Sequence, residues 1–90
     1  MAEVIWQDEA VEELRGIISY INAFDPPAAQ RIGSRLFALG ESLADFPRRG
    51  RPAAAGLREL VTVSPYILRY RVAGDVVLIV SVKHGARRPE

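Results

Sequence analysis

His84 is the sequence's one histidine and the one side chain whose ordinary pKa suits it to take and return a proton near neutrality. It is a candidate general base. The alternative for a lone histidine at a strand end is a hydrogen bond to a neighbouring loop. The cations are the second chemical feature. Eleven of the twelve basic residues are arginine, the side chain suited to bidentate contact with phosphate or carboxylate. Arg58, Arg69, Arg71 and Lys83 lie in the apolar C-terminal segments, Arg87 and Arg88 stand just before Pro89-Glu90, and Arg48, Arg49 and Arg51 share one loop. There is no cysteine, which excludes a disulfide framework, a thiolate zinc site and a cysteine nucleophile. With a single histidine, a multi-ligand transition-metal site is excluded as well, and neither metal nor cofactor is expected.

Charge is segregated. Residues 1–46 carry three arginines against eight carboxylates, net −5, and residues 47–90 carry nine cations against three carboxylates, net +6. The C-terminal half reads as an anion-facing surface. The competing reading is self-pairing of that surface with Glu59 and Asp75. The N-terminus has acids where a secretory signal needs a basic start, and the longest apolar run, Val76 to Val80, is too short for a bilayer. A cytoplasmic protein without a membrane partner is expected, its 90 residues forming one domain, 1–90.

The elements that position these residues follow from periodicity. Residues 2–6 read as a strand. Asp8 is placed to cap a helix in which Ala10, Leu14, Ile17, Ile18 and Ile21 recur at helical spacing, ending near Ala23. Asp25-Pro26-Pro27 opens a second helix, whose stripe Ala28, Ile32, Leu36, Leu39, Leu43 and Phe46 is core. A connection this short makes the two helices an antiparallel hairpin. Pro47 to Pro52 breaks the helix and is exposed, and the loop continues to Gly56. Three strands then follow at 57–63, 66–72 and 76–83 as an antiparallel meander. The class is α+β: an N-terminal strand and a helical hairpin on a small antiparallel sheet, β-α-α-β-β-β, with the first strand at an edge.

Alternation assigns faces. Tyr66, Leu68, Tyr70 and Val72 point to the helices, as do Val76, Leu78, Val80 and Val82. Arg69, Arg71 and Lys83 then share the open face with Ile67, Val77, Ile79 and Ser81; the register of 57–63 is ambiguous by pattern alone, and one of its two settings adds Arg58 to them. Four cations on one small face repel one another unless an anion visits. Tyr66 and Tyr70 have the types to stack bases, but Leu68 and Val72 beside them favour burial. Trp6 is read as core rather than binding surface.

The ordered set of these pieces resembles the RelE/ParE superfamily of bacterial toxins, and in detail its ParE branch. The residues that carry the likeness are Trp6 before an acidic helix start, Pro26 to Ala29, Phe46-Pro47 with Gly50-Arg51, Arg58-Glu59-Leu60-Val61, Pro65 to Tyr70, and Lys83 to Pro89. The resemblance implies the toxin of a type II toxin–antitoxin system that poisons DNA gyrase, halts replication and growth, and stabilises plasmids. It also implies a cognate antitoxin, ParD-like, whose ribbon-helix-helix half alone contacts operator DNA. RelE-type relatives instead cut mRNA on the ribosome. Such chains typically carry arginine after the tyrosine that opens the middle strand, where this one has Ile67, and often a later catalytic tyrosine or histidine, whereas no tyrosine follows Tyr70. RNA cleavage needs a base, phosphorane stabilisation and an acid. A ribonuclease of this sequence would use His84 with Arg58, Arg69 and Arg87. On the gyrase reading no catalytic residue is expected, and Arg58, Arg69, Arg71, Lys83, Arg87 and Arg88 are the target-binding candidates.

Overall fold

The computed structural model describes residues 1–85. Strand β1 (Glu3–Trp6) leads into helix α1 (Asp8–Asn22) and helix α2 (Pro26–Glu41), followed by a 3-10 turn at Ser42–Ala44. Strands β2 (Arg51–Pro52), β3 (Arg58–Leu60), β4 (Tyr66–Ala73) and β5 (Val76–His84) complete a five-stranded sheet in the order β1-β5-β4-β3-β2. The hairpin and the meander are as the periodicity predicts. The sheet is mixed, because β1 runs parallel to β5, Glu3 opposite Val76 through Trp6 opposite Ile79. The strand expected over 57–63 is only three residues long, and the exposed loop before it contributes β2.

The helices form for the reasons their ends suggest, with one exception. Asp25 Oδ1 accepts the Ala28 N–H at 3.1 Å, and Pro26 and Pro27 occupy the first turn, where no amide partner is needed. Asp8 is not the cap of α1. Gln7 stands at that position without a side-chain bond, while Asp8 and Glu9 lie in the first turn, favourably placed against the helix dipole. Two glycines let α2 approach its neighbours closely, Gly33 facing α1 and Gly40 facing β1 and β5. A Cβ on Gly33 would lie 2.8 Å from Ile18 Cδ1, and one on Gly40 would lie 2.4 Å from Trp6 Cζ2. The Trp6 ring therefore lies against the backbone of α2, stacks on Phe37 at 5.7 Å, and donates from Nε1 to Glu41 at 3.0 Å. It is half-buried and packs on the core, as expected.

The core lies between the hairpin and one sheet face: Ala10, Leu36, Leu39 and Leu43 from the helical side, and Leu60, Leu68, Tyr70, Val77, Ile79 and Val82 from the strands. Two expectations are corrected here. Val77 and Ile79 point inward, not Val76, Leu78 and Val80. The cause is a bulge: Arg69 faces Ser81 while the next residue, Tyr70, faces Ile79, so β5 carries one extra residue and its inward parity switches before Val82. Phe46 is 65% exposed, because α2 ends at Glu41 and the 3-10 turn rotates the last stripe position into solvent.

Candidate functional site

The arginines do not assemble one open cationic face. Arg58 stands opposite Tyr70 on the core side of the sheet, the face opposite to Arg69. Its Nη1 donates to the carbonyls of Gly50 (2.7 Å) and Arg48 (3.3 Å), and the Tyr70 hydroxyl accepts the Gly50 N–H at 2.8 Å. These bonds tie the loop after α2 to the sheet, and Gly50 is required there because a Cβ would lie 2.7 Å from the Tyr70 oxygen. On the open face Arg69 Nε donates to Glu59 Oε2 at 2.7 Å, and Arg51 Nη2 reaches the other oxygen at 3.3 Å. The hydrogen bond from Arg69 holds the Glu59 carboxyl below its usual 4.5. Burial opposes that shift, and the charge of Arg69 and the bond from Arg51 add to it. Arg71 donates to the Ala55 carbonyl at 3.1 Å. Self-pairing with Glu59, the competing reading of this surface, therefore holds for Arg69 and Arg51.

Lys83 has its partner on a helix. Glu13, from the middle of α1, takes the Lys83 ammonium on one carboxylate oxygen and accepts the Val82 N–H on the other at 2.9 Å. That contact forms one wall of a cleft of about 560 Å³ between α1 and the C-terminal half of β5, with Ile17 and Tyr20 above and Tyr66, Lys83 and His84 below. The His84 ring meets the edge of Tyr66 at 5.4 Å. The cleft gathers an imidazole, an ammonium, two phenols and a carboxylate over an apolar floor. Chemically this arrangement suits a peptide or an anionic group as guest. His84 is thus set among Lys83, Tyr66 and Glu13 and apart from Arg58, which lies on β3 at the level of Tyr70. Arg87 and Arg88 lie outside the described residues.

A second, shallower groove runs along the outside of the hairpin, lined by Leu14, Ile18, Ala29, Gly33 and Phe37. Among the described residues no group of acidic or histidine side chains is arranged to hold a metal ion, and no helix is long and apolar enough to cross a membrane.

The model of the ParE toxin of type II toxin–antitoxin systems (parDE) matches residues 4–89. The chain belongs to the ParE toxin family. It is 51% identical over 87 residues to a toxin named RelE2 from Caulobacter vibrioides, covering 97% of this chain and 99% of that one. It is 40% identical to a putative toxin, Y4kP, from Sinorhizobium fredii, covering 82% and 79% of the two chains. A solved structure of the chromosomal ParDE system of P. aeruginosa superposes with a TM-score of 0.82 at 21% identity, covering 93% of this chain and 96% of that one. This likeness confirms the fold. The chain is a type II toxin-antitoxin toxin of the RelE/ParE superfamily, as its motif order implies.

Three residues of the toxin's cleft carry no sequence signal of their own. Glu13 and Tyr20 stand on the outer arc of α1 by helical periodicity, and Gly16 reads as an ordinary helix-weakening residue. Only the place where β1 stops brings them to the strand.

Proposed function

We propose that this toxin arrests growth by binding a protein target, DNA gyrase, rather than by cutting nucleic acid itself. The observation that supports this reading is the separation of Arg58 and Arg69, two members of the ribonuclease set, from His84. Arg58 is spent on loop carbonyls on the core side of the sheet, and Arg69 on Glu59 on the other, so neither guanidinium faces a phosphate held at His84. Acid–base cleavage of RNA needs those groups within hydrogen-bond reach of one phosphorane. The decisive measurement mixes purified toxin, gyrase and relaxed plasmid. Loss of supercoiling or a trapped cleavage complex is expected, and full supercoiling with no trapped complex overturns the proposal.

A second reading, a ribosome-dependent mRNA endonuclease, has its own support: the cleft sets His84 beside Lys83 and Tyr66, and a relative at 51% identity bears the name RelE2. On that reading translating ribosomes yield cut message, and His84→Ala abolishes the cuts.

On either reading a cytoplasmic antitoxin neutralises the chain. The hairpin groove, apolar from Leu14 to Phe37, suits an amphipathic helix of a ParD-like partner whose ribbon-helix-helix half holds operator DNA. A partner that binds only the folded toxin raises its melting temperature, and an unshifted melt with antitoxin present removes this part of the reading.

A further inference from the structure

The loop that leaves the helical hairpin is cationic, mostly exposed and yet firmly held. Residues 45–52 read Asp-Phe-Pro-Arg-Arg-Gly-Arg-Pro, three guanidiniums against one carboxylate. The Arg49 N–H donates to the Phe46 carbonyl at 3.2 Å and closes a turn, and Arg49 Nη1 donates to the Ser42 hydroxyl at 2.9 Å. The Gly50 N–H reaches the Tyr70 hydroxyl, and Arg51 pairs with Glu59 across β2 and β3. Arg58 donates to the carbonyls of Arg48 and Gly50, two acceptors that would otherwise repel an anion beside the exposed guanidiniums.

Phe46 is the independent sign. The chain has three phenylalanines, all exposed. Phe37 stacks on Trp6, and Phe24 meets Tyr20 edge-on at 5.2 Å. Phe46, 65% exposed, has no ring partner among the described residues. Arg48, two positions on, forms no ion pair among the described residues, and Arg49 bonds only the neutral hydroxyl of Ser42 there. Arg51 differs, because Glu59 already balances its charge.

We propose that this loop binds single-stranded DNA, with a base stacked on Phe46 and phosphates on Arg48 and Arg49. Every base offers a π-face, and a guanidinium meets phosphate oxygens with two parallel donors. An acidic peptide would use the cations and leave the ring idle, whereas a nucleic-acid strand uses both. A loop already fixed by its own hydrogen bonds loses little freedom on binding. The choice of DNA over RNA rests on the gyrase reading above, in which the toxin's target carries DNA. The loop is tested without gyrase.

The probe is a labelled thymidine oligonucleotide of about twelve nucleotides, titrated with full-length toxin and followed by anisotropy across a salt series. Arg48→Gln is expected to weaken binding and to make the slope of log K against log salt shallower by about 0.7. Phe46→Ser is expected to weaken binding by about tenfold, equivalent to about 1.4 kcal/mol, with the slope unchanged, because a ring releases no counter-ion. Phe46→Trp is expected to restore it. Both side chains are exposed, so neither substitution is expected to shift the melting temperature. A wild type that leaves the oligonucleotide free at low salt overturns the proposal, as does equal binding by the wild type, Phe46→Ser and Arg48→Gln. Polyglutamate that binds as tightly as the oligonucleotide marks an acidic-peptide site and overturns it too. Tighter binding of the matching uridine strand overturns the assignment to DNA. If supercoiling is still lost when the loop variants bind DNA like the wild type, the gyrase reading stands and the loop site alone is lost.

Discussion

Glu59→Gln separates structural arginines from binding arginines. Wild-type Glu59 is mostly buried, with 11% of its side chain exposed, and accepts from Arg69 Nε at 2.7 Å. A hydrogen bond to a charged group contributes about 1.5–3 kcal/mol, roughly twice a neutral one. Glutamine keeps one oxygen for Arg69, so the expected loss is about 1–1.5 kcal/mol. Arg51, whose side chain is 64% exposed, adds no more than a few tenths. In a chain of this size that lowers the melting temperature by roughly 4–12 °C. The sign of the pH dependence follows from the depressed carboxyl pKa. The contribution is complete above the unfolded value near 4.5 and is lost as pH falls through the lower folded value. Wild type and variant therefore converge on acidification. The variant also leaves the charges of two guanidiniums on the open face without their counter-ion. Single-stranded DNA binding should then steepen in salt by up to about 1.4 in the slope of log K against log salt. Paired melts across pH and a salt series of anisotropy titrations measure both effects. A stability gap that persists unchanged into acid, or an unaltered salt slope, would show that Glu59 does not neutralise this face.

Three further substitutions probe the frame that carries the cleft. Gly40→Ala drives a methyl into the Trp6 ring and should cost about 1–3 kcal/mol, part of it recovered in the Gly40→Ala, Trp6→Leu double variant. Denaturant midpoints give the coupling, and strict additivity would contradict the contact. Tyr70→Phe leaves the buried Gly50 N–H without its acceptor and should cost about 1–3 kcal/mol by the same measurement. Phe46→Ser should change stability by no more than about 0.5 kcal/mol, whereas a core phenylalanine would cost several.

The elements were legible where one period dominates. The hairpin stripes and the β4 alternation carry a single parity each, so Leu36, Leu39, Leu43, Leu68 and Tyr70 fall inward as the spacing predicts. In β5 the run Val76 to Val80 is apolar at both parities, so alternation there cannot choose a face. The bulge that sets the choice leaves no mark in composition. The parallel pairing of β1 was hidden for a related reason. Its four residues give no direction, and only the crossover of the whole hairpin from β1 to the far end of the chain fixes it.

The site was less legible than the fold because charge was read by strand face, while the structure assigns it by reach. Arg58 and Arg69 are adjacent in pattern but opposed in space, one answering loop carbonyls and the other a carboxylate. Lys83 lies in the cationic half of the chain, yet its counter-ion is Glu13 from the acidic half, seventy positions away. The segregated charges of the two halves therefore meet at the strand edge that β1 leaves bare. A sequence rule that counted cations would place the docking surface at the centre of the sheet. The Glu13 carboxylate, which accepts the Val82 N–H and holds Lys83, instead brings the two charged halves together at the sheet's margin.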